Sequence, residues 1–280
     1  MSAPTVPGAA PRASQVDALL RLVFRARGGA TYLAEQHAQA PLGIVRPFLQ
    51  ADGSALLQIV HIAPGLMGGD AYRLDVTVEP GARVILTGTS ATKLHRARPG
   101  ARATQHATFT VRDGGALEYY PGLTIPFGDA EFVQTLDVTL APGAKFGMLE
   151  QWAMGRIERG EYLAFRRLSS RTRVVMANLP CYCDALEFRP RAASPAGWGM
   201  LEGRRYVASG YWHWDTAPPQ RDVVEEGLLL VSGVPPHGHR YLRCLARDGA
   251  AMRGALHDFL ITQRAAWGLA PFPFDRYTAL

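Results

Sequence analysis

Lysine is almost missing from this chain. Only Lys93 and Lys145 occur among 30 basic residues, so the formal charge of +6 is carried by arginine. Those arginines are scattered, and the densest pairs, Arg166-Arg167 and Arg204-Arg205, lie close to acidic residues. Nucleic-acid binders gather basic charge on one face and interleave it with aromatics. That pattern is missing, so nucleic acid is not an expected partner; scattered arginine suits protein interfaces, where its planar fork pairs with carboxylates. Cysteine is also scarce. Cys181, Cys183 and Cys244 are too few and odd in number for a disulfide framework, and they are expected to be reduced. No apolar run approaches the roughly 18 residues needed to cross a bilayer. The opening MSAPTVPGAAPRASQ has no continuous apolar core of the secretory kind. A cytoplasmic location is therefore expected, with residues 1–15 as a disordered tail and residues 16–280 as a single β-rich domain.

Catalytic signatures are missing too. A phosphate-binding loop of the Gly-x4-Gly-Lys-Ser/Thr kind needs a hydroxyl after its lysine, but Lys93 precedes Leu94 and Lys145 precedes Phe146. There is no Gly-x-Gly-x-x-Gly between strand and helix, no Gly-x-Ser-x-Gly and no His-Glu-x-x-His. Nucleotide hydrolysis by the common route is excluded.

What is present is strand pattern and turn. At 48 % hydrophobic content the chain can bury a sizeable core. The stretch from Pro64 to Arg96 is the richest: Gly68-Gly69 closes on Asp70, the alternating run Tyr72–Val78 leads to Pro80-Gly81, and a second run ends in a small polar cluster, Thr87 to Thr92. Alternation broken by Pro-Gly predicts a β-hairpin. The segment Thr77–Val84 is echoed at Thr110–Leu117 and Thr139–Phe146, a spacing of about thirty residues that points to stacked units covering each other's apolar faces. Further strands are expected at 56–63, 132–140, 145–153, 171–177, 204–214, 227–234 and 240–246, with breaks at 189–199, 215–222 and 235–238. One helix is expected after Asp248, with Met252, Leu256, Phe259, Leu260 and Gln263 at helical spacing up to Trp267. The expected class is mainly β: stacked antiparallel hairpins in a β-helix-like or layered arrangement, with helices near the C-terminus.

Candidate chemistry lies in carboxylates among apolar neighbours: Asp70, Glu118, Glu150 and Glu187. A buried, unpaired carboxylate costs several kcal/mol, so each must be paired with arginine, exposed, or kept for a cation. Cys181-Tyr-Cys183 and His237-Gly-His239 each supply two donors, half of the four that a closed zinc site uses.

The middle of the chain resembles the urease accessory proteins of the UreD (UreH) type. The resemblance rests on Pro64-Gly65 with Gly68-Gly69-Asp70, on Thr87-Gly-Thr-Ser-Ala-Thr-Lys-Leu-His-Arg96, on Leu117-Glu-Tyr-Tyr-Pro121 with Thr124-Ile-Pro-Phe127, and on Leu149-Glu150, Gly155-Arg156 and Gly160-Glu161. No single element is specific; four in this order are. The resemblance implies a β-rich, helix-like stack and a non-enzymatic chaperone. Such a chaperone joins UreF-type and GTP-hydrolysing UreG-type accessory proteins and the urease apoprotein to insert nickel into the active site. It implies no tightly bound cofactor, only transient Ni²⁺. Oxygen donors hold late first-row ions more loosely than thiolate or imidazole, so an internal path from Asp70, past Thr89 or Ser90, to Glu150 and Glu187 would admit and release the ion. Surface arginines and the C-terminal aromatics Trp267, Phe272, Phe274 and Tyr277 are expected at partner interfaces. Two other readings remain open: a metal-dependent hydrolase using His237, His239, Asp70 and Glu150, and a carbohydrate-binding sandwich with Tyr211, Trp212 and Trp214 as its aromatic strip.

Overall fold

A computed structural model describes residues 16–197, 199–214, 222–234 and 239–277. In it, strands such as Ala71–Val78 and Glu131–Leu140 alternate buried with partly exposed side chains, the mark of one inward face, while Lys145–Ala153 and Tyr206–His213 are buried on both faces. The first strands are β1 (Asp17–Arg27), β2 (Ala30–Ala38), β3 (Leu42–Ile44), β4 (Phe48–Leu49) and β5 (Ala55–His61). The centre holds β6 (Ala71–Val78), β7 (Arg83–Gly88), β8 (Thr92–Leu94), β9 (Ala103–Val111), β10 (Ala116–Pro126), β11 (Glu131–Leu140) and β12 (Lys145–Ala153). Then come β13 (Arg167–Met176), β14 (Leu179–Phe188), β15 (Tyr206–His213), β16 (Val223–Val224), β17 (Leu228–Gly233) and β18 (Arg240–Ala246). The helices α1 (Gly249–Ala266) and α2 (Phe274–Tyr277) follow.

These strands build two sheets. One has the order β14-β13-β11-β9-β6-β1-β2; the other has β16-β17-β18-β15-β12-β10-β7-β5-β3, with β4 on β5 and β8 on β10. Successive strands of the repeat alternate between them: β6 then β7, β9 then β10, β11 then β12. Within each sheet the repeat strands pair in parallel, β6 with β9 with β11 with β13, and β7 with β10 with β12. The chain thus winds as a stack of coils, mainly β, with α1 at its C-terminal end.

The antiparallel hairpins expected from the Pro-Gly turns are corrected here to parallel coils. Each turn arches the chain from one sheet into the other, with Gly81, Gly114 and Gly143 at positive φ. Each turn closes with its own bond, as in Ala82 N–H to Glu79 O at 3.0 Å, and the groups around it bond the neighbouring turn: Ala116 N–H donates to Ala82 O at 2.9 Å, and Lys145 N–H to Gly115 O at 2.8 Å. Hairpin-like antiparallel pairing is confined to the flanks, as in β1/β2, β13/β14, β12/β15 and β15/β18. Gly81 has φ 70°, and a Cβ there would meet only the Ala26 methyl at 4.0 Å, so Gly81→Ala isolates the conformational penalty. The expected loss is about 1–2 kcal/mol in urea unfolding.

Two apolar layers result. Between the sheets lie Leu20, Phe24, Val76, Phe109, Phe132 and Phe146, all nearly or fully buried. The outer face of the larger sheet carries Leu56, Ile85, Tyr120, Leu149 and Trp212, covered by Met252, Leu256, Phe259 and Leu260 of α1. Asp248 caps that helix, accepting from Ala250 N–H and Ala251 N–H at 2.9 Å. Two expectations fail on burial. Phe272 and Phe274 are core residues in this second layer, not a free interface, and Trp267 stacks on Trp214 at 4.2 Å. Tyr211 and Trp212 are both 1 % exposed and cannot form a carbohydrate-binding strip. Among the described residues no helix is long and apolar enough to cross a membrane. Residues 1–15, 215–221 and 235–238 lie outside the described residues, and with them the expected tail and His237.

Candidate functional site

Alternation on β12 turns Phe146, Met148, Glu150 and Trp152 toward the facing sheet. Glu150 is the charged member, only 6 % exposed. It accepts a hydrogen bond from Gln134 Nε2 of β11 and one from Ser170 Oγ of β13 at 3.2 Å. Burial disfavours its charged form and pushes its pKa up to about 7, against the pull of those two donors.

Two narrow cavities lie between the sheets along this face. One, of about 50 Å³, is lined by Ile59, His61, Tyr72, Thr89, Ser90 and others. The second, of about 20 Å³, is lined by Gln134, Glu150, Trp152 and others. Thr92, Gln105, Tyr119 and Pro121 line both, so the cavities adjoin. A water needs about 10–15 Å³ measured this way, so the second holds about one and the first a few. Thr89 and Ser90 stand exposed at the outer rim. Thr89 N–H donates to Ile59 O at 3.1 Å, which pins the rim to β5. His61 faces Tyr72 edge-on across the first cavity, and burial lowers its pKa.

The other sequence-derived residues lie apart. Asp70 is 4 % exposed, but its carboxylate accepts from Val16 N–H at 3.2 Å and Met67 N–H at 2.8 Å. It fastens the Gly68-Gly69 turn and lines neither cavity. Glu187 is exposed on the outside of β14 between Arg167 and Arg189, which hold its carboxyl below the usual range, Arg189 foremost. Its neighbours explain this: Tyr182 and Leu186 pack inward, and one residue's offset on a strand reverses the face.

Asp184, which sequence reasoning missed, takes the inward position. Burial opposes its charge, yet Arg243 and Ser209 hold its carboxyl below the usual range. Arg243 Nη2 donates to Oδ1 and Ser209 Oγ to Oδ2, both at 2.8 Å. Ser209 is the β15 partner of Glu150 in register, so a polar trail runs Gln134, Glu150, Ser209, Asp184, Arg243. The even spacing of Tyr182, Asp184 and Leu186 was the available signal. Glu118, by contrast, faces α1 and pairs with buried Arg264.

The hydrolase constellation is not assembled. His239 bonds His213, not Asp70 or Glu150, and His237 lies outside the described residues. Among the described residues no three His, Cys, Asp or Glu side chains group around a metal position, and Cys181, Cys183 and Cys244 are free thiols.

Residues 16–277 match the family model described as UreD urease accessory protein. The chain belongs to that family. It is 38 % identical to urease accessory protein UreD 1 of Synechococcus sp. over 93 % of this chain and 96 % of that one. It is 37 % identical to urease accessory protein UreD of Deinococcus radiodurans, over 92 % and 94 % respectively. The motifs that carry the UreD resemblance prove to be joints of the stack. A Cβ on Gly65 would collide with the Lys93 carbonyl, and Leu66 N–H donates to that carbonyl at 2.9 Å, so the Pro64-Gly65 and Thr87–Arg96 elements lock together. Gly155 meets Glu161 in the same way, while Arg156 Nε donates to Glu161 Oε2 at 2.8 Å and Gly128 N–H reaches the same oxygen at 3.1 Å.

Proposed function

We propose that this UreD-family chain is a urease-maturation chaperone, accessory to urease rather than itself a catalyst. It acts in the cytoplasm with UreF-type and GTP-hydrolysing UreG-type proteins and the urease apoprotein, and it passes Ni²⁺ through its interior as cargo. The observation that carries this reading is the pair of adjoining cavities, one lined by the Thr89–Ser90 rim and the other by the buried carboxylate of Glu150. The lining offers hydroxyl, amide and carboxylate oxygens, ligands that hold a late first-row dication loosely enough to release it. Cavities of this volume hold only one to a few small species. A dication beside Glu150 offsets the desolvation that otherwise favours the protonated acid, so its arrival releases a proton and its departure takes one up. The route uses Thr89, Ser90 and Glu150 and continues to Asp184. Asp70 fastens its own turn, and it and Glu187 stand outside the route.

The test is nickel-dependent activation of urease apoprotein in a reconstituted complex. Glu150→Ala is expected to lower the activated fraction severalfold while co-purification with the UreF-type partner persists. Asp70→Ala is expected to lower both activation and melting temperature, because it undoes a turn. Full activation by both folded variants would put the route elsewhere.

A further inference from the structure

Beyond Asp184 and Arg243, the same face of the larger sheet ends on two histidines. Trp212 and Arg240 are the last registered pair of the β15–β18 ladder, and His213 and His239 are the next residue on each strand. Their Nδ1 atoms lie 2.6 Å apart, with ring centroids at 4.3 Å. His239 is 7 % exposed, and its ring lies 5.8 Å from Tyr211, which stacks on Tyr182 at 4.2 Å. Alternation puts His213 on the face of Ser209 and Tyr211, so the pair continues the trail through Ser209 and Asp184.

Two ring nitrogens this close cannot both carry a proton. One donates and the other accepts, or a cation takes the proton's place. We propose that His213 and His239 form a two-imidazole site for a late first-row divalent ion. The choice of Ni²⁺ as that ion rests on the function proposed above; the site itself does not. A cation about 2.0–2.1 Å from each nitrogen, with a right-angled bite, needs the nitrogens about 2.9 Å apart. The pair reaches that by opening a few tenths of an ångström and turning each ring so that its Nδ1 lone pair aims at the ion. Imidazole is a suitable ligand for nickel and its neighbours. The two imidazoles are half of the four ligands that a closed structural site uses. Such a site captures an ion and can pass it on to the oxygen donors beyond it.

The test uses the full chain and a simple Ni²⁺ salt, with calorimetric titration and X-ray absorption of the loaded protein. The expected spectrum shows two imidazoles around nickel. His213→Asn and His239→Asn are each expected to weaken binding by more than the roughly 10–100-fold that follows loss of an outer-shell partner. His106→Asn, on the exposed face of the smaller sheet, serves as the control and is expected to bind as the parent does. Equal affinity in folded variants overturns the site. Should neither variant fold, the parent spectrum decides, and a nickel shell without imidazole overturns it. Lost binding with urease activation intact supports the site and separates it from the route through Glu150.

Discussion

Arg264→Ala is expected to destabilise the fold by about 3–5 kcal/mol, the cost of leaving a buried charge without its partner. Glu118 and Arg264 form an ion pair whose side chains are 6 % and 4 % exposed. The pair links the outer face of β10 to the last turn of α1, 146 residues away. Tyr120 OH donates to the second Glu118 oxygen at 3.0 Å, and Arg264 Nε donates to Ala270 O at 3.1 Å, so both ions have further hydrogen-bond partners. Removing the guanidinium, which sits over Phe272, leaves the buried Glu118 carboxylate without its counter-ion. Urea unfolding measures the loss, and helical circular dichroism shows whether α1 departs first. Replacing both residues by leucine is expected to restore most of the stability, because the charges cost nearly as much to bury as they return. A loss under about 1 kcal/mol for Arg264→Ala would mean that water reaches Glu118.

Glu150→Gln is expected to make the protein more stable at pH 8, and no more stable at pH 4. The sign follows from burial. The folded carboxyl titrates at about 7 and an ordinary glutamate at 4.5, so between these values the folded chain holds a proton that the unfolded chain has lost. Stability from this group is therefore fully present below pH ~4.5 and declines as pH rises to ~7. The gap corresponds to about 3 kcal/mol. Glutamine keeps an acceptor for Gln134 and Ser170 but never ionises, so its advantage is read as the difference between unfolding free energies at pH 8 and pH 4. A constant difference across that range would show that Glu150 titrates as an exposed acid does. On the function proposed above, that lost stability is the cost of keeping a carboxylate where a cation passes.

Much of this was legible because apolar strand runs bounded by turn residues mark the elements. The runs 145–153 and 240–246 are strands with the boundaries read from the sequence, and Asp248 caps the expected helix. The repeat was visible too, since Pro80-Gly81 and Pro142-Gly143 recur at the same place in each coil. Pairing was not. A Pro-Gly turn has the same local chemistry whether it returns the chain along one sheet or arches it into another, and the choice depends on neighbours about thirty residues away. The site divided along the same line. Glu150 was legible as a carboxylate among strand apolars. Glu187 was read as an inward candidate, but it faces out and Asp184 faces in, because they stand three positions apart and an odd offset reverses the face. Phe272 and Phe274 were misread because aromatics suit a core as well as an interface, and only the cover over Tyr120 distinguishes the two. The His213–His239 pair joins residues 26 apart across two strands, which no short motif records.

The parallel winding also governs how the molecule comes into being. Each inner strand finds its partner only after the intervening arch has been made, so little can form from local contacts and assembly is slow. The order of synthesis nevertheless matches the order of the coils: β6 can receive β9, then β11, then β13, as each leaves the ribosome. Until its next strand arrives, each growing end offers a bare row of amides and carbonyls that another nascent copy could occupy. Ribosome stalling before residue 179 should therefore yield entangled chains rather than soluble fragments.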